Sequence, residues 1–202
     1  MTDWTDEKLE ELRQEFGEKE LEKSDEPFER LIVSIINQQL STESAKAIKD
    51  RFFEKFEIEP EKILEADEGE MNEVGLSGQK IKYIRSAAEK FIEDDLSPEK
   101  FTESRNSEGV SGSPENLGFS NMSDEEVMDE LTSIHGIGDW TAKMFMIFVL
   151  GREDVFPVED LGIRRAMEEL YGLDSRDEMR EKAEDFRPKR SLASLYLWEF
   201  RD

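Results

Sequence analysis

Two carboxylates, Glu159 and Asp160, follow the apolar run Val155-Phe156-Pro157-Val158 and stand where a helix begins. At a helix start such side chains cap free amides, and local sequence supports that role for this pair. Some twenty residues earlier, Gly136-Ile137-Gly138 separates two helical stretches. Glycines there supply positive φ and let another backbone or a ligand come close. Asp139 is placed to cap the helix that follows, and amides at such a helix start favour an anion. A nucleic-acid phosphate fits that site without any lysine. An ordinary helix connection with a glycine cap explains the hairpin equally well. Asn37, Gln38 and Gln39 place three amides at a helix end. They either close that helix in solvent or serve as neutral side chains able to enter a base stack.

Other chemistries are excluded. The 202 residues contain no cysteine, which rules out disulfides, thiolate-held zinc and iron–sulfur clusters. A single histidine, His135, rules out a His-rich metal site. No apolar run reaches membrane-spanning length, and the acidic N-terminal stretch has no secretory or transit character. A cytoplasmic protein is expected.

The formal charge is −24, from 51 acidic and 27 basic residues. Phosphate binding ordinarily needs cations. An acidic surface also suits molar salt, where the Debye length is about 3 Å and self-repulsion is screened. On that reading the protein works in a salt-rich cytoplasm, and local charge matters more than the total. Lys80, Lys82, Arg85 and Lys90 face only Glu89 between residues 79 and 90, and Arg187, Lys189 and Arg190 form a second acid-free patch. Recurrent amphipathic stretches and three Trp argue against a disordered acidic chain.

The elements that must position these residues all read as helices, so the fold class is all-α. Residues 4–21 carry Trp4, Leu9, Leu12 and Phe16 near helical spacing. Pro27 suits a first helical position, and Leu31, Ile32, Ile35, Ile36 and Leu40 form one apolar face. Ser41 opens the next helix. Short pieces at 60–66 and 69–74 lead to a helix after Ser77-Gly78 whose inner face is Ile81, Ile84, Ala88 and Phe91. Residues 96–120, rich in Ser, Gly, Asn and Glu, read as a surface loop. Ser123 with Glu126 forms a capping box, Gly172 stops a helix, and the last helix carries Leu195, Tyr196 and Trp198.

In order along the chain, SIINQQLSTESAKAI, GLSGQKIKYIR, IHGIGDWTAKMF with DVFPVEDLGIRR, and RPKRSLASLYLW resemble the helix–hairpin–helix DNA glycosylases. Within them the similarity is to the DNA-3-methyladenine glycosylase II branch, without an iron–sulfur cluster. It runs from residue 27 to 200, with a gap at about 102–120. It implies two helical lobes, 28–150 ending in the hairpin unit 131–150, and 1–27 plus 151–202, with a cleft between them. It implies that Asp160 is the catalytic carboxylate and Glu159 its variable neighbour. Trp140 stands where bifunctional relatives carry an attacking lysine, and Lys143 lies on another part of the helix, so hydrolysis without strand cleavage is implied. Trp140, Met144 and Trp198 would line the base pocket, Met144 replacing a tyrosine of some relatives. Gln39 would be the wedge that fills the gap left by a flipped base, with Gln38 beside it. Gly136 and Gly138 would hold a phosphate, with Lys80, Lys82, Arg85, Lys189 and Arg190 gathered on the same face. A monovalent cation at the carbonyls of Ile134 and Ile137 is the only ion implied, and no cofactor is required. The expected partner is duplex DNA with a damaged base, bound by a monomer that excises alkylated purines. Other readings remain open: another lesion (uracil, hypoxanthine or an oxidised base), a DNA-binding helix–hairpin–helix protein without activity, or an acidic interaction protein.

Overall fold

A computed structural model describes residues 6–93, 119 and 122–201. The regular structure among the described residues is helical, with no strand among them. The expected loop at 96–120, apart from Phe119, and Trp4 lie outside them. No described helix is long and apolar enough to cross a membrane. The chain divides into two compact units, Met1–Lys23 with Met146–Asp202, and Ser24–Phe145.

With α1 (Glu7–Phe16) in the other unit, the Ser24–Phe145 unit holds in order α2 (Pro27–Asn37), α3 (Thr42–Lys55), α4 (Pro60–Glu65), α5 (Glu68–Glu73), α6 (Gly78–Glu93), α7 (Asp124–Ser133) and most of α8 (Asp139–Phe148). Pro27 takes the first position of α2, where its missing N–H costs nothing. Helix α6 sits at the centre, packed by α2, α4 and α5. Its buried face is Ile81, Ile84, Ala87, Ala88 and Phe91, the periodic set read from sequence with Ala87 added. Phe91 meets Phe28 with ring centroids 5.1 Å apart. The Lys80 amide donates to Ser77 Oγ at 3.3 Å, so Ser77 caps α6. Ser123 and Glu126 form the expected capping box on α7.

The other unit joins α1 to the end of α8 and to α9 (Leu161–Tyr171), α10 (Arg176–Ala183), a 3-10 turn (Glu184–Phe186) and α11 (Arg190–Glu199). Helix α1 is shorter than its apolar spacing predicts because Gly17, at φ 77°, ends it. Leu9 and Leu12 pack with Ile163, Met167, Phe186, Tyr196 and Leu197. The hydroxyl of fully buried Tyr196 donates to the Gly17 carbonyl and accepts the Lys19 amide, each at 3.0 Å. Gly172 (φ 70°, ψ 28°) closes α9 with the left-handed cap that glycine favours.

Candidate active site

In the Ser24–Phe145 unit the hairpin between α7 and α8 is built tightly. The Ile137 amide donates to the Ile134 carbonyl at 3.0 Å. Gly136 takes φ 92°, and a side chain there would run into the ring of Tyr83. Only this glycine meets the expectation of positive φ. Gly138 is not in the left-handed region; its carbonyl accepts the Ala142 amide at 3.0 Å, which puts Gly138 rather than Asp139 at the cap of α8. Asp139 sits in the first turn instead. A Cβ at Gly138 would meet open space, so what glycine leaves there is an uncovered approach to the helix start. His135 is exposed and its ring lies edge-on to Tyr83, 5.1 Å between centroids.

The turn after α2 carries the three amides. Gln39 is exposed at φ 56°, the one positive φ outside glycine among the described residues. That conformation costs about 1–2 kcal/mol and marks a position held by its surroundings. Gln38 is half-buried. Its Nε2 donates to the Gly136 carbonyl at 3.1 Å and to Thr141 Oγ1 at 2.9 Å, which joins this turn to the hairpin.

In the unit formed by the two ends of the chain, Asp160 caps α9. Its Oδ1 accepts the Ile163 amide at 3.0 Å and the indole Nε1–H of Trp198 at 2.9 Å. Trp198 is set by stacking on Phe148, centroids 5.8 Å apart at 29°. Glycine at 162 leaves room for this fit: a Cβ there would stand 3.1 Å from Asp160 Oδ1 and 3.3 Å from Trp198 Cδ1, so both would have to shift by a few tenths of an ångström. Local capping and a held carboxylate are therefore the same feature. Sequence reasoning did not find the indole bond or the role of Gly162; the small residue two places after the acid was the available signal.

The loop before Asp160 is anchored from the start of α11. The Val155 amide donates to Ser191 Oγ at 3.0 Å, and the Ser191 hydroxyl donates to the Arg152 carbonyl at 2.6 Å. Arg190 grips Asp154 through Nε at 2.8 Å and Nη2 at 3.1 Å, and reaches Glu184 at 3.0 Å. Glu159 lies 3.9 Å from Arg180.

The expected cation face does not form on α6. Lys80 donates to the Ile36 carbonyl at 2.6 Å, and burial lowers its pKa. Arg85 donates to the carbonyls of Leu64 at 2.9 Å and Ala66 at 3.3 Å, where α4 ends. Lys82 is exposed. Helix C-termini offer unfilled carbonyls, and these take the charges first. Among the described residues, no salt bridge joins Lys82 or Lys189, whereas Arg190 is engaged as above. Trp140 is half-buried near the start of α8; Met144, one turn on, is 6% exposed and belongs to the core.

Replacing Trp198 by Phe keeps an aromatic ring beside Phe148 and removes the N–H together with part of the indole's volume. A hydrogen bond to a charged acceptor contributes about 1.5–3 kcal/mol. If Asp160 is the reacting group, the variant stays folded and its single-turnover rate falls roughly 10–100-fold. An unchanged rate contradicts a positioning role for the indole.

Residues 32–189 match the HhH-GPD superfamily of base excision DNA repair proteins. The chain is 35% identical over 182 residues to DNA-3-methyladenine glycosylase 1 of Schizosaccharomyces pombe, covering 86% of this chain and 72% of that protein. It is 37% identical over 153 residues to the DNA-3-methyladenine glycosylase of Saccharomyces cerevisiae, covering 68% and 44%. The Schizosaccharomyces pombe 3-methyladenine DNA glycosylase solved with abasic DNA superposes at a TM-score of 0.79 and 32% identity, covering 96% of this chain and 91% of that one. With the match running through both the hairpin and the Asp160 turn, the chain belongs to the HhH-GPD superfamily of base excision DNA repair proteins, in a form with no cysteine to hold an iron–sulfur cluster.

Proposed function

We propose that the protein is a monofunctional DNA glycosylase that extrudes an alkylated purine of the 3-methyladenine type from duplex DNA and hydrolyses its bond to the sugar. The observation that carries this reading is the carboxylate of Asp160, held by an indole N–H and a helix-start amide. Similarity to relatives named 3-methyladenine glycosylases supports the substrate class.

A paired base is out of reach, so it is flipped out at a cost of a few kcal/mol, and Gln39 fills the gap. An alkylated purine is cationic and electron-poor; stacking on an indole contributes about 1–3 kcal/mol per base. Trp140 is the indole proposed for that contact. Trp198 contributes an edge to Asp160 and one face to Phe148. As the bond from C1′ to the base breaks, its electron pair leaves with the base and the sugar becomes oxocarbenium-like. Asp160 stabilises that cation and orients the water whose oxygen bonds to C1′; the water's proton passes to the carboxylate or to solvent. Trp140 in place of a lysine removes the Schiff-base route, so the strand stays intact.

Phosphate contact is assigned to the start of α8 at Gly136 and Gly138, with Lys82 and Lys189 as surface cations. The carbonyls of Ile134 and Ile137 are neutral oxygen ligands suited to a monovalent cation, and an oxygen that already accepts one amide, as that of Ile134 does, has a second lone pair. Such an ion would fix the hairpin carbonyls; no step depends on it. Among the described residues no cluster of acidic or histidine side chains is arranged to hold a metal.

The test is base release from a duplex carrying a single 3-methyladenine. Free base should appear while the strand breaks only on later alkali, and borohydride should trap no covalent complex. Absence of release at every salt concentration overturns the activity, a trapped complex overturns the monofunctional reading, and a panel of other lesions assigns specificity. We further propose that the protein acts as a monomer in a salt-rich cytoplasm. The charge of −24 then makes stability rise with salt: from about 0.1 M to about 1 M KCl the Debye length shrinks from about 10 Å to about 3 Å. The melting temperature should climb by roughly 5 °C or more, a gain of about 2 kcal/mol, while DNA affinity falls. A flat melting profile by calorimetry removes the salt argument.

A further inference from the structure

We propose that Gln38 is a positioning residue that couples the wedge turn to the phosphate-gripping hairpin, rather than a DNA contact. The inference rests on the glycosylase reading and adds to it a mechanical link between two parts of one unit. Gln38 immediately precedes Gln39, the residue at φ 56°, and its one amide nitrogen bridges the Gly136 carbonyl and Thr141 Oγ1, 98 and 103 residues away. Both acceptors belong to the hairpin and the first turn of α8. The end of α2 is fixed a second time by Lys80 on the Ile36 carbonyl. Tyr83, also on α6, covers Gly136, so α6 supports both sides of the bridge. An exposed side chain on a strained backbone cannot enter a duplex unless its base is rigid. The bridge supplies that rigidity from the element that holds the phosphate, so grip and insertion occur in one fixed register.

Thr141 makes the idea testable because it is 1% exposed and cannot touch DNA. Wild type, Gln38→Leu, Thr141→Val, the double variant and Thr141→Ser are compared for affinity to an undamaged duplex and to one carrying a tetrahydrofuran abasic analogue, at one salt concentration. We expect each of Gln38→Leu and Thr141→Val to reduce the abasic-over-undamaged preference about fivefold to tenfold, the loss of roughly one hydrogen bond. The double variant should be no worse than Gln38→Leu alone, because the bond that Thr141→Val removes is one of those already lost in Gln38→Leu. Thr141→Ser should retain the preference, and affinity for undamaged duplex should stay within about twofold, which an unfolded or loosened protein would not show.

A loss in Gln38→Leu with Thr141→Val unchanged, additive losses in the double variant, equal weakening on both duplexes, or an unchanged preference each overturns the bridge. The readout involves no chemistry, so it is independent of whether the wild type releases base. A wild type that excises base but shows no abasic preference overturns the coupling while leaving the glycosylase reading in place.

Discussion

Asp160→Asn yields a folded, DNA-binding protein whose base excision is slower by roughly 10³-fold. The asparagine keeps Oδ1, so the Ile163 amide and the Trp198 indole still have their acceptor, and Asn caps a helix as well as Asp does. What disappears is the negative charge. A carboxylate about 4 Å from a developing cation at an effective dielectric of about 20 contributes on the order of 4 kcal/mol, which sets the expected loss. Single-turnover excision from a one-lesion duplex, beside a melting curve and an affinity for the abasic duplex, separates rate from fold and binding. Near-normal turnover in a contamination-free sample ends the assignment. Asp160→Ala is less informative, because it also removes a cap that contributes about 1 kcal/mol.

Asp6→Ala has the largest expected effect on stability, about 3–5 kcal/mol. Asp6 is 8% exposed and caps α1. Its Oδ1 accepts the Tyr171 hydroxyl at 2.7 Å and the Leu9 amide at 3.0 Å, and its Oδ2 meets Lys182 at 2.7 Å. Burial alone would raise its pKa, but the bonds from Lys182, Leu9 and Tyr171 together with the Lys182 charge outweigh it and hold the carboxyl below its ordinary value. Burial first, and then Asp6, pushes the Tyr171 hydroxyl upward. Lys182 is raised: burial opposes its charge, but hydrogen bonds to Asp6 and Asp185 prevail.

The pH dependence follows from these directions. A depressed carboxyl contributes fully above its unfolded value, about 4, and the contribution is lost as pH falls through the folded one. Raised Tyr171 and Lys182 contribute until pH climbs past about 10. The stability difference between wild type and Asp6→Ala should therefore be level from about pH 5 to about pH 9 and shrink on either side. Urea melts across that range measure it. A difference that is small at neutral pH, or that grows on acidification, contradicts the network.

How far the sequence spoke depends on the distance over which each feature is determined. The inner face of α6 was legible because burial follows a 3.6-residue period, and Ser123 with Glu126 was legible because a capping box spans four residues. The hairpin was legible at Gly136 but misassigned at Gly138, where two glycines look alike and only the fold decides which one bends back. The position of Asp160 came from resemblance; its partner Trp198 is 38 residues away and belongs to another helix. The cations were the weakest reading. Charge along a sequence does not reveal which helix ends will be adjacent, and Arg85 and Lys80 turned to carbonyls at the ends of α4 and α2.

The unit that carries Asp160 is assembled from both termini, with Leu9 and Leu12 packed among Tyr196 and Leu197. On the ribosome this imposes an order. Residues 24–145 have their partners within reach while translation continues, whereas α1 must wait for α11 to emerge. Closing so long an interval costs roughly 4–5 kcal/mol of chain entropy, and Tyr196, hydrogen-bonded to Gly17 and Lys19, is one of the contacts that offset it. A nascent chain stopped short of residue 190 therefore has Asp160 but lacks Trp198, whose indole binds that carboxylate, and Tyr196, which fastens Gly17 and Lys19.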